Sequence, residues 1–119
     1  MHLRAIVSAS PCDEDRDDLS FVYAYDEDQK YCVSLGRFPD SEVIELMVSD
    51  QLTVKVAQLA VTLTARSLIV ELPPAVAAAL DGNVRYEIEF VNAAEVAAQL
   101  PAALQAVFKG KQGLEVVAA

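Results

Sequence analysis

The chain has 119 residues and a net charge of −9 at pH 7, and 54% of its residues are apolar. This length fits one domain with a single core, the apolar fraction excludes general disorder, and every apolar run is far shorter than the roughly 20 residues that span a bilayer. The charge repels nucleic acid and anionic membranes and attracts basic surfaces, although acidity also serves solubility alone. We therefore expect a soluble globular protein that binds neither nucleic acid nor membrane directly.

The first apolar run covers only residues 5–7, which is too short for the core of a signal peptide, about 7 to 15 residues. We therefore expect the protein in the cytoplasm. In that reducing compartment Cys12 and Cys32 are expected to be unlinked thiols, with a single disulfide as the alternative. The one histidine, His2, is expected at a frayed end, and the cysteines lack the spacing of zinc ligands. The sequence predicts no metal and no cofactor.

Residues 2–9 alternate weakly between apolar and polar and predict a first strand, which ends at Pro11 because proline cannot donate a ladder hydrogen bond. A dense acidic cluster around Arg16 then favours a solvated loop. Its carboxylates are Asp13, Glu14, Asp15, Asp17 and Asp18. Their spacing resembles the start of a calcium loop, but Asp18 and Ala24 stand where that loop requires glycine and glutamate. We therefore do not predict a calcium site.

A hairpin follows, with Phe21, Tyr23 and Tyr25 on one face of its first strand. A polar turn contains the second acidic cluster, Asp26, Glu27 and Asp28, and alternation resumes over 31–35. The tyrosines are compatible with half-buried packing, the preferred interpretation, or with a binding platform.

Alternation and β-branched residues predict further strands over 52–56, 59–64, 68–72 and 84–90, with 59–72 forming a second hairpin. Residues 43–48 fit a strand or a short helix. Pro73 and Pro74 suit the first turn of a short helix, which Asp81 and Gly82 end. The tail, 112–119, is compatible with a short strand or with disorder, and disorder is preferred.

The spacing of Asn92 and Glu95 is typical of a helix-start cap. An apolar face then repeats with helical period at Val96, Ala97, Leu100, Leu104, Val107 and Phe108. Pro101 interrupts this helix, so we expect a kink or two pieces that meet near Leu100. Gly110 is a natural stop.

Because strands and helices do not alternate regularly, these elements predict an α+β fold. We expect a single domain over 1–111 with a mostly antiparallel sheet of about six to eight strands, one short helix, and the C-terminal helix packed on one face of the sheet.

The order of motifs in the C-terminal half resembles the bacterial polymorphic-toxin immunity proteins of the immunity protein 10 family. The resemblance spans about 23–110 and is carried by the strand pair 61–72, the Leu-Asp-Gly turn at 80–82, the strand 86–90 and the helix that ends at 100–110. Upstream, 31–35 and 50–51 also match. The family has a glycine-rich, tyrosine-containing segment after this last pair, whereas residues 52–58 contain no glycine, so no binding residue is transferred there.

The resemblance implies a non-catalytic antidote that binds a cognate protein toxin and blocks it. The two acidic clusters would then steer the protein onto a basic toxin surface, although solvated loops are the preferred interpretation of these clusters. An alternative is a homo-oligomeric structural or adaptor protein that pairs through exposed strand edges, and a homodimer fits either function. An enzyme is the least supported class, because no base lies near a Ser or Cys nucleophile in the sequence pattern and Glu87 and Glu89 fit a solvated strand face.

Overall fold

A computed structural model describes residues 1–10, 20–38, 41–49, 52–96 and 98–117. Its strands are β1 (His2–Ser10), β2 (Ser20–Asp26), β3 (Tyr31–Arg37), β4 (Ile44–Val48), β5 (Leu52–Val56), β6 (Ala60–Leu63), β7 (Ser67–Glu71), β8 (Arg85–Phe90) and β9 (Leu114–Val116). Its helices are α1 (Pro74–Ala79), α2 (Ala93–Val96) and α3 (Gln99–Val107). All nine strands belong to one sheet in the order β5-β4-β3-β2-β1-β8-β7-β6-β9.

The predicted α+β class and mostly antiparallel sheet are confirmed. Only the pairs β1–β8 and β6–β9 are parallel among the pairs of the described strands. The sheet has nine strands, more than the six to eight predicted, because residues 44–48 form a strand and because β9 adds to the edge of β6. The preferred expectation of a disordered tail therefore fails at Leu114–Val116.

Strand β1 holds the two halves of the sheet together. Its first residues pair in parallel with β8, and its last residues pair in antiparallel with β2. Leu3, Ala5 and Val7 are buried on one face, so the alternation seen in the sequence corresponds to an inner and an outer face. We call inner the face whose buried side chains belong to the core.

Two polar side chains extend the hydrogen-bonding of β1 beyond the ends of its neighbours. Where β8 has ended, Asn92 accepts a bond from the Val7 amide and donates one to the Val7 carbonyl, both at 2.9 Å. Where β2 has ended, Asp26 accepts from the Arg4 amide at 3.0 Å. Since a buried backbone group without a partner is costly, these side chains let β1 stay extended through the centre of the sheet.

The expected helix-start cap at Asn92 is therefore not formed by its side chain. The backbone carbonyl of Asn92 accepts from the Glu95 amide at 2.9 Å, while both side-chain atoms bond to Val7. The spacing of Asn92 and Glu95 marks the start of α2 correctly. However, the side-chain amide of Asn92 hydrogen-bonds to the backbone of β1 and not to the first turn of the helix.

The last helical region consists of two helices, which is the second of the two predicted alternatives, a kink or two pieces. Helix α2 ends at Val96 and α3 begins at Gln99, so Pro101 is the third residue of α3. In the first turn of a helix the amide hydrogen has no intrahelical acceptor, and proline is tolerated there. Gly110 stops the region with a φ of 75°, as expected.

The C-terminal end of α3 is satisfied by an arginine from the sheet. Nη1 of Arg37 donates to the carbonyl of Val107 at 3.0 Å and to that of Lys109 at 2.5 Å. A cation at this end also interacts favourably with the helix dipole. The helix contacts β1, β2 and β3, and its buried residues Leu100, Ala103, Leu104 and Val107 belong to the same core cluster as the inner face of the sheet.

The N-terminus is ordered, in contrast to the expected frayed end. The Met1 ammonium donates to the Arg85 carbonyl at 2.7 Å, and the Met1 carbonyl accepts from the Glu87 amide at 2.8 Å. His2 lies in β1 between two carboxylates, 3.6 Å from Glu87 and 3.6 Å from Glu89.

Candidate partner-binding surface

The outer face of β2 presents three aromatic side chains in a row. Phe21 and Tyr25 are half-buried and Tyr23 is 36% exposed, while the residues between them are buried in the core. We call Phe21, Tyr23 and Tyr25 the aromatic ridge. Beside it on β1, Ile6 is 52% exposed. Strand alternation identified this face from the sequence, but the preferred interpretation was packing alone.

Two residues of the ridge, Phe21 and Tyr23, have small neighbours on both adjacent strands. Phe21 lies between Ser10 of β1 and Gly36 of β3. Tyr23 lies between Ser8 and Ser34 in the same way. Phe21 and Tyr23 thus pair with small residues on both adjacent strands.

One strand further along the sheet, Glu45 of β4 is opposite Gly36 and Met47 is opposite Ser34. Gly36 is buried and Ser34 is half-buried.

Of the predicted acidic contact residues, the structure describes Asp26, Glu27 and Asp28. Glu27 and Asp28 are exposed in the turn between β2 and β3, at one end of the ridge. Asp13, Glu14, Asp15, Asp17 and Asp18 lie outside the described residues. The segment that contains them joins Ser10 to Ser20, so it begins and ends at the opposite end of the ridge.

Asp26 is buried, with 2% of its surface exposed, and its carboxylate has internal partners. It accepts hydrogen bonds from the amides of Arg4 and Gln29, at 3.0 and 3.1 Å, and from the Gln29 side chain at 3.1 Å. Burial raises the pKa of this carboxyl, but these hydrogen bonds outweigh burial and hold the pKa below its ordinary value. Asp26 is thus occupied inside the fold, unlike Glu27 and Asp28.

Sequence reasoning missed a second polar cluster, in which two tyrosines share one carboxylate. Tyr31 donates to Asp81, and Tyr86 donates to the same carboxylate at 2.5 Å. The rings of Tyr31 and Tyr86 are stacked with centroids 6.2 Å apart, and the Asn83 amide donates to Asp81 at 3.1 Å. Tyr31 is 50 positions from Asp81 in the sequence, so no local motif indicates that the two tyrosines meet at one carboxylate.

Burial, and then the bond to Asp81, raise the pKa of Tyr86 to about 12, and the same causes raise that of Tyr31 further. Partial burial raises the pKa of Asp81, but the bonds from Tyr31, Tyr86 and Asn83 outweigh it and lower that pKa. A tyrosine with a raised pKa is less available as a base or nucleophile at neutral pH. The cluster instead has a structural effect: it joins Asp81, in the connection between α1 and β8, to Tyr31 at the start of β3.

The outer face of β8 carries paired charges. Arg85 lies 2.8 Å from Glu87, and Arg4 lies 3.8 Å from Glu89. These side chains are half or more exposed, apart from Glu87 at 44%, and exposed pairs of this kind contribute little to stability. Because cations and carboxylates alternate, this part of the face has no strong charge of one sign.

An open cleft of about 970 Å³ lies where the β5–β6 connection, the end of β7 and residues 110–113 meet. Glu71, Lys111 and Leu72 are among the residues that line it. The Lys111 ammonium donates to the Ala57 carbonyl at 2.6 Å, and the Gly113 carbonyl accepts from the Val61 amide at 2.8 Å. These hydrogen bonds thus join residues 110–113 to the β5–β6 connection and to the start of β6.

Among the described residues, no group of three His, Cys, Asp or Glu side chains is placed to hold a metal ion. Within the same part of the chain, no helix has both the length and the apolar character needed to cross a membrane. Cys32 is buried, and its thiol donates to the Ser49 carbonyl. Cys12 lies outside the described residues.

Comparison with known proteins gave no relative: no family model, curated protein or solved structure matches this chain.

Proposed function

We propose that this protein is a non-catalytic binding protein of the cytoplasm that neutralises a cognate bacterial toxin by covering part of its surface. The observation that carries the proposal is the aromatic ridge on the outer face of β2. Tyrosine, phenylalanine and methionine are enriched in protein interfaces and bury large areas at low entropic cost. The resemblance to immunity proteins supports the choice of a toxin as the partner.

The contacts of α3 support its placement on the face of the sheet opposite the ridge. Helix α3 contacts β1, β2 and β3, and its buried residues belong to the core. We include in the proposal that α3 covers the inner face of the sheet, so that the ridge faces outward and is available to the toxin.

The two acidic clusters would speed association with a basic toxin surface. Five carboxylates surround one arginine in the first cluster, and Glu27 and Asp28 are exposed in the second. Opposite charge raises association rates and makes them sensitive to salt. Asp26 has no part in this steering because its carboxylate is buried and hydrogen-bonded.

Toxin neutralisation is tested by co-expression, with the toxin taken from the same genome. A variant with Phe21→Thr and Tyr23→Thr should lose protection, since threonine suits a strand but removes both rings. Val84→Thr, at a residue 51% exposed outside the ridge, is the matched control and should protect fully. Full protection by the ridge variant would eliminate the ridge as the binding surface.

The second candidate is a homo-oligomer formed through strand edges. Strands β5 and β9 are the two edges of the sheet, and Leu52, Val116 and Val117 beside them are exposed. Unpaired edges are templates for strand addition from another chain. Light scattering over a range of concentrations tests this candidate, and a monomer at every concentration would exclude it.

A further inference from the structure

Strand β5 is one edge of the sheet, and the register of the strands shows which of its backbone groups point away from the sheet. We propose that two copies of the chain form a two-fold symmetric dimer in which their β5 strands pair in antiparallel. This inference gives the homo-oligomer candidate a defined edge and register. It does not involve the ridge on β2, so it is tested separately from toxin neutralisation.

The hydrogen bonds of the neighbouring strands fix the direction of the backbone groups of β5. The Ser49 amide donates to the Cys32 carbonyl of β3 at 2.9 Å, so the preceding residue, Val48, directs its carbonyl to the other side, towards β5. Val48 is opposite Leu52, and backbone groups alternate sides along a strand. The backbone of Leu52 therefore points to β4. The bond that Asp26 accepts from β1 gives the same assignment when the registers are followed from β1 to β4.

Thr53 and Lys55 therefore direct their N–H and C=O groups to the side of β5 that is opposite β4. Among the described residues, no backbone hydrogen bond joins either of them to a segment beyond that edge. Both residues are exposed, and Leu52 is 39% exposed. Helix α1 also contacts β5, but these three residues remain exposed. Strand β5 thus presents donors and acceptors with the spacing of an antiparallel ladder.

One register uses both outward residues of each copy. It places Thr53 opposite Lys55 of the second copy, and each such pair exchanges two backbone hydrogen bonds. Val54 then faces its own counterpart on the two-fold axis, and Leu52 faces Val56 of the second copy. By alternation these apolar side chains share the inner face, where Val56 is buried in the core. Pairing therefore extends the core across the edge and covers Leu52.

The charges at the two edges favour this pairing. A lysine can block an edge strand, but Lys55 lies 3.7 Å from Glu45 of its own chain and would face a threonine, so no like charges stand directly opposite. At the other edge, β9 directs the backbone groups of Leu114 and Val116 outward, since its alternate groups bond to β6. Two β9 strands that paired through both residues would place Glu115 opposite Glu115. The self-complementary edge is therefore β5.

Sedimentation equilibrium of the full chain, at concentrations up to about 1 mM, covers the weak affinity expected for pairing of two five-residue strands. We expect a reversible dimer. Because each copy has a net charge of −9, the copies repel each other, and raising the salt from about 20 to 300 mM should tighten the dimer. A monomer at every concentration, or open-ended oligomers formed by β5 with β9, would overturn the inference.

Thr53→Pro tests the outward backbone groups. Its ring removes an N–H that β4 does not use, so the sheet of each copy keeps its bonds while each symmetric pair in the dimer loses one. We expect the dissociation constant to rise at least about ten-fold, with the thermal midpoint of unfolding maintained. Thr53→Val retains the N–H and suits a strand, so it is the matched control and should dimerise like the native protein. Equal affinity of Thr53→Pro and the native protein would contradict the proposed edge.

An introduced cysteine tests the register without proline. In a Cys12→Ser background, where Cys32 is buried, Val54→Cys places two thiols on the two-fold axis. Their Cα atoms would be about 4.5 Å apart, within the reach of a disulfide. Thr53→Cys is the control, because its counterpart lies two residues along the strands, about 8 Å away. We expect mild oxidation to cross-link Val54→Cys at least about ten-fold faster, and equal or reversed rates would overturn the register.

The outcomes for the proposed function are separate. A dimer through β5, in a protein that protects against no toxin, would retain this inference and remove the antidote function. A protein that protects against its toxin but is a monomer at every concentration would retain the antidote function and overturn the dimer.

Discussion

Asn92 and Val7, 85 positions apart in the sequence, form a pair of hydrogen bonds that continues the sheet beyond the end of β8. The carboxamide of Asn92 acts as a substitute for the next residue of that strand. On the opposite edge of β1, Asp26 performs the same role for the Arg4 amide. The central strand thus depends on one side chain from each half of the sheet, and the outer face that carries the ridge depends on that strand.

Replacing Asn92 should therefore destabilise the fold through β1. We expect Asn92→Ala to lower the free energy of unfolding by about 1–3 kcal/mol, because it leaves the amide and carbonyl of Val7 without partners. Asn92→Asp should also be destabilising, since a carboxylate keeps the acceptor for the amide but faces the carbonyl without a donor. Urea denaturation measures both, with Asn83→Ala as the control in an exposed pair. A change in Asn92→Ala no larger than in the control would show that Val7 needs no side-chain partner.

Stability should fall in acid through Asp26 and Asp81. Both carboxyls have a pKa below the ordinary value of 3.8 in the folded protein, so folding favours their charged forms. The stability that they contribute is present above their unfolded pKa and is lost as the pH falls through the folded pKa. We expect the free energy of unfolding to decrease below about pH 4 and the decrease to be smaller in Asp81→Asn. Urea denaturation between pH 6 and 2.5 measures this, and Glu27→Gln, an exposed carboxyl in the same turn as Asp26, is the control. If the free energy of unfolding of Asp81→Asn falls with pH as steeply as that of the native protein, the bonds of Tyr31 and Tyr86 to Asp81 do not lower the pKa of Asp81.

The tyrosine pair should be visible by its own titration. The pKa of Tyr86 is raised to about 12 by burial and by its bond to Asp81. Absorbance near 295 nm, followed from pH 9 to 13, should lose the component near pH 12 in Tyr86→Phe. Removing the carboxylate charge in Asp81→Asn should move that component to lower pH. If Tyr86→Phe leaves the curve above pH 11 unchanged, the assignment of that component is wrong.

Two glycines with positive φ provide a matched comparison of steric and backbone effects. An added Cβ at Gly113, where φ is 113°, would lie 2.2 Å from the Leu59 carbonyl oxygen, whereas at Gly82, where φ is 88°, it would meet nothing within 4 Å. We expect Gly82→Ala to cost about 1 kcal/mol through backbone strain, and Gly113→Ala to cost at least about 2 kcal/mol, since the backbone of Leu59 must also move. Thermal unfolding ranks them, and equal effects would show that the 110–113 segment is not closely packed on the β5–β6 connection.

Local pattern was sufficient for most elements of the fold. Alternation located the strands of both hairpins, Pro73 and Pro74 indicated the start of α1, and Pro101 indicated the divided last helix. The failures have long-range causes. Asn92 has the sequence context of a cap, and only the proximity of β1 and β8 shows that Val7 is its partner. Strand β9 has three residues, and without β6 as a template its pattern is too short to distinguish from a disordered tail.

Part of the candidate surface could be predicted from local pattern, and the rest could not because it depends on long-range strand pairing. Alternation placed Phe21, Tyr23 and Tyr25 on one face, which is a local property of β2. Which residues lie beside them, Ser34 and Gly36 on β3 among them, is set by pairing between strands, which no local pattern shows. The sequence places Asp26 next to Glu27 and Asp28. In the structure Asp26 is buried and hydrogen-bonds to the backbone, whereas Glu27 and Asp28 are exposed.

The most direct test of the central claim is affinity capture from the native lysate at low and moderate salt, with three baits compared by mass spectrometry. The baits are the native protein, the Phe21→Thr and Tyr23→Thr variant, and the Val84→Thr control. We predict one protein that is retained by the native and control baits and lost by the ridge variant, and that is toxic when expressed alone but harmless alongside the native protein. Retention of that same toxic protein by the ridge variant, at the level of the control, would contradict the account.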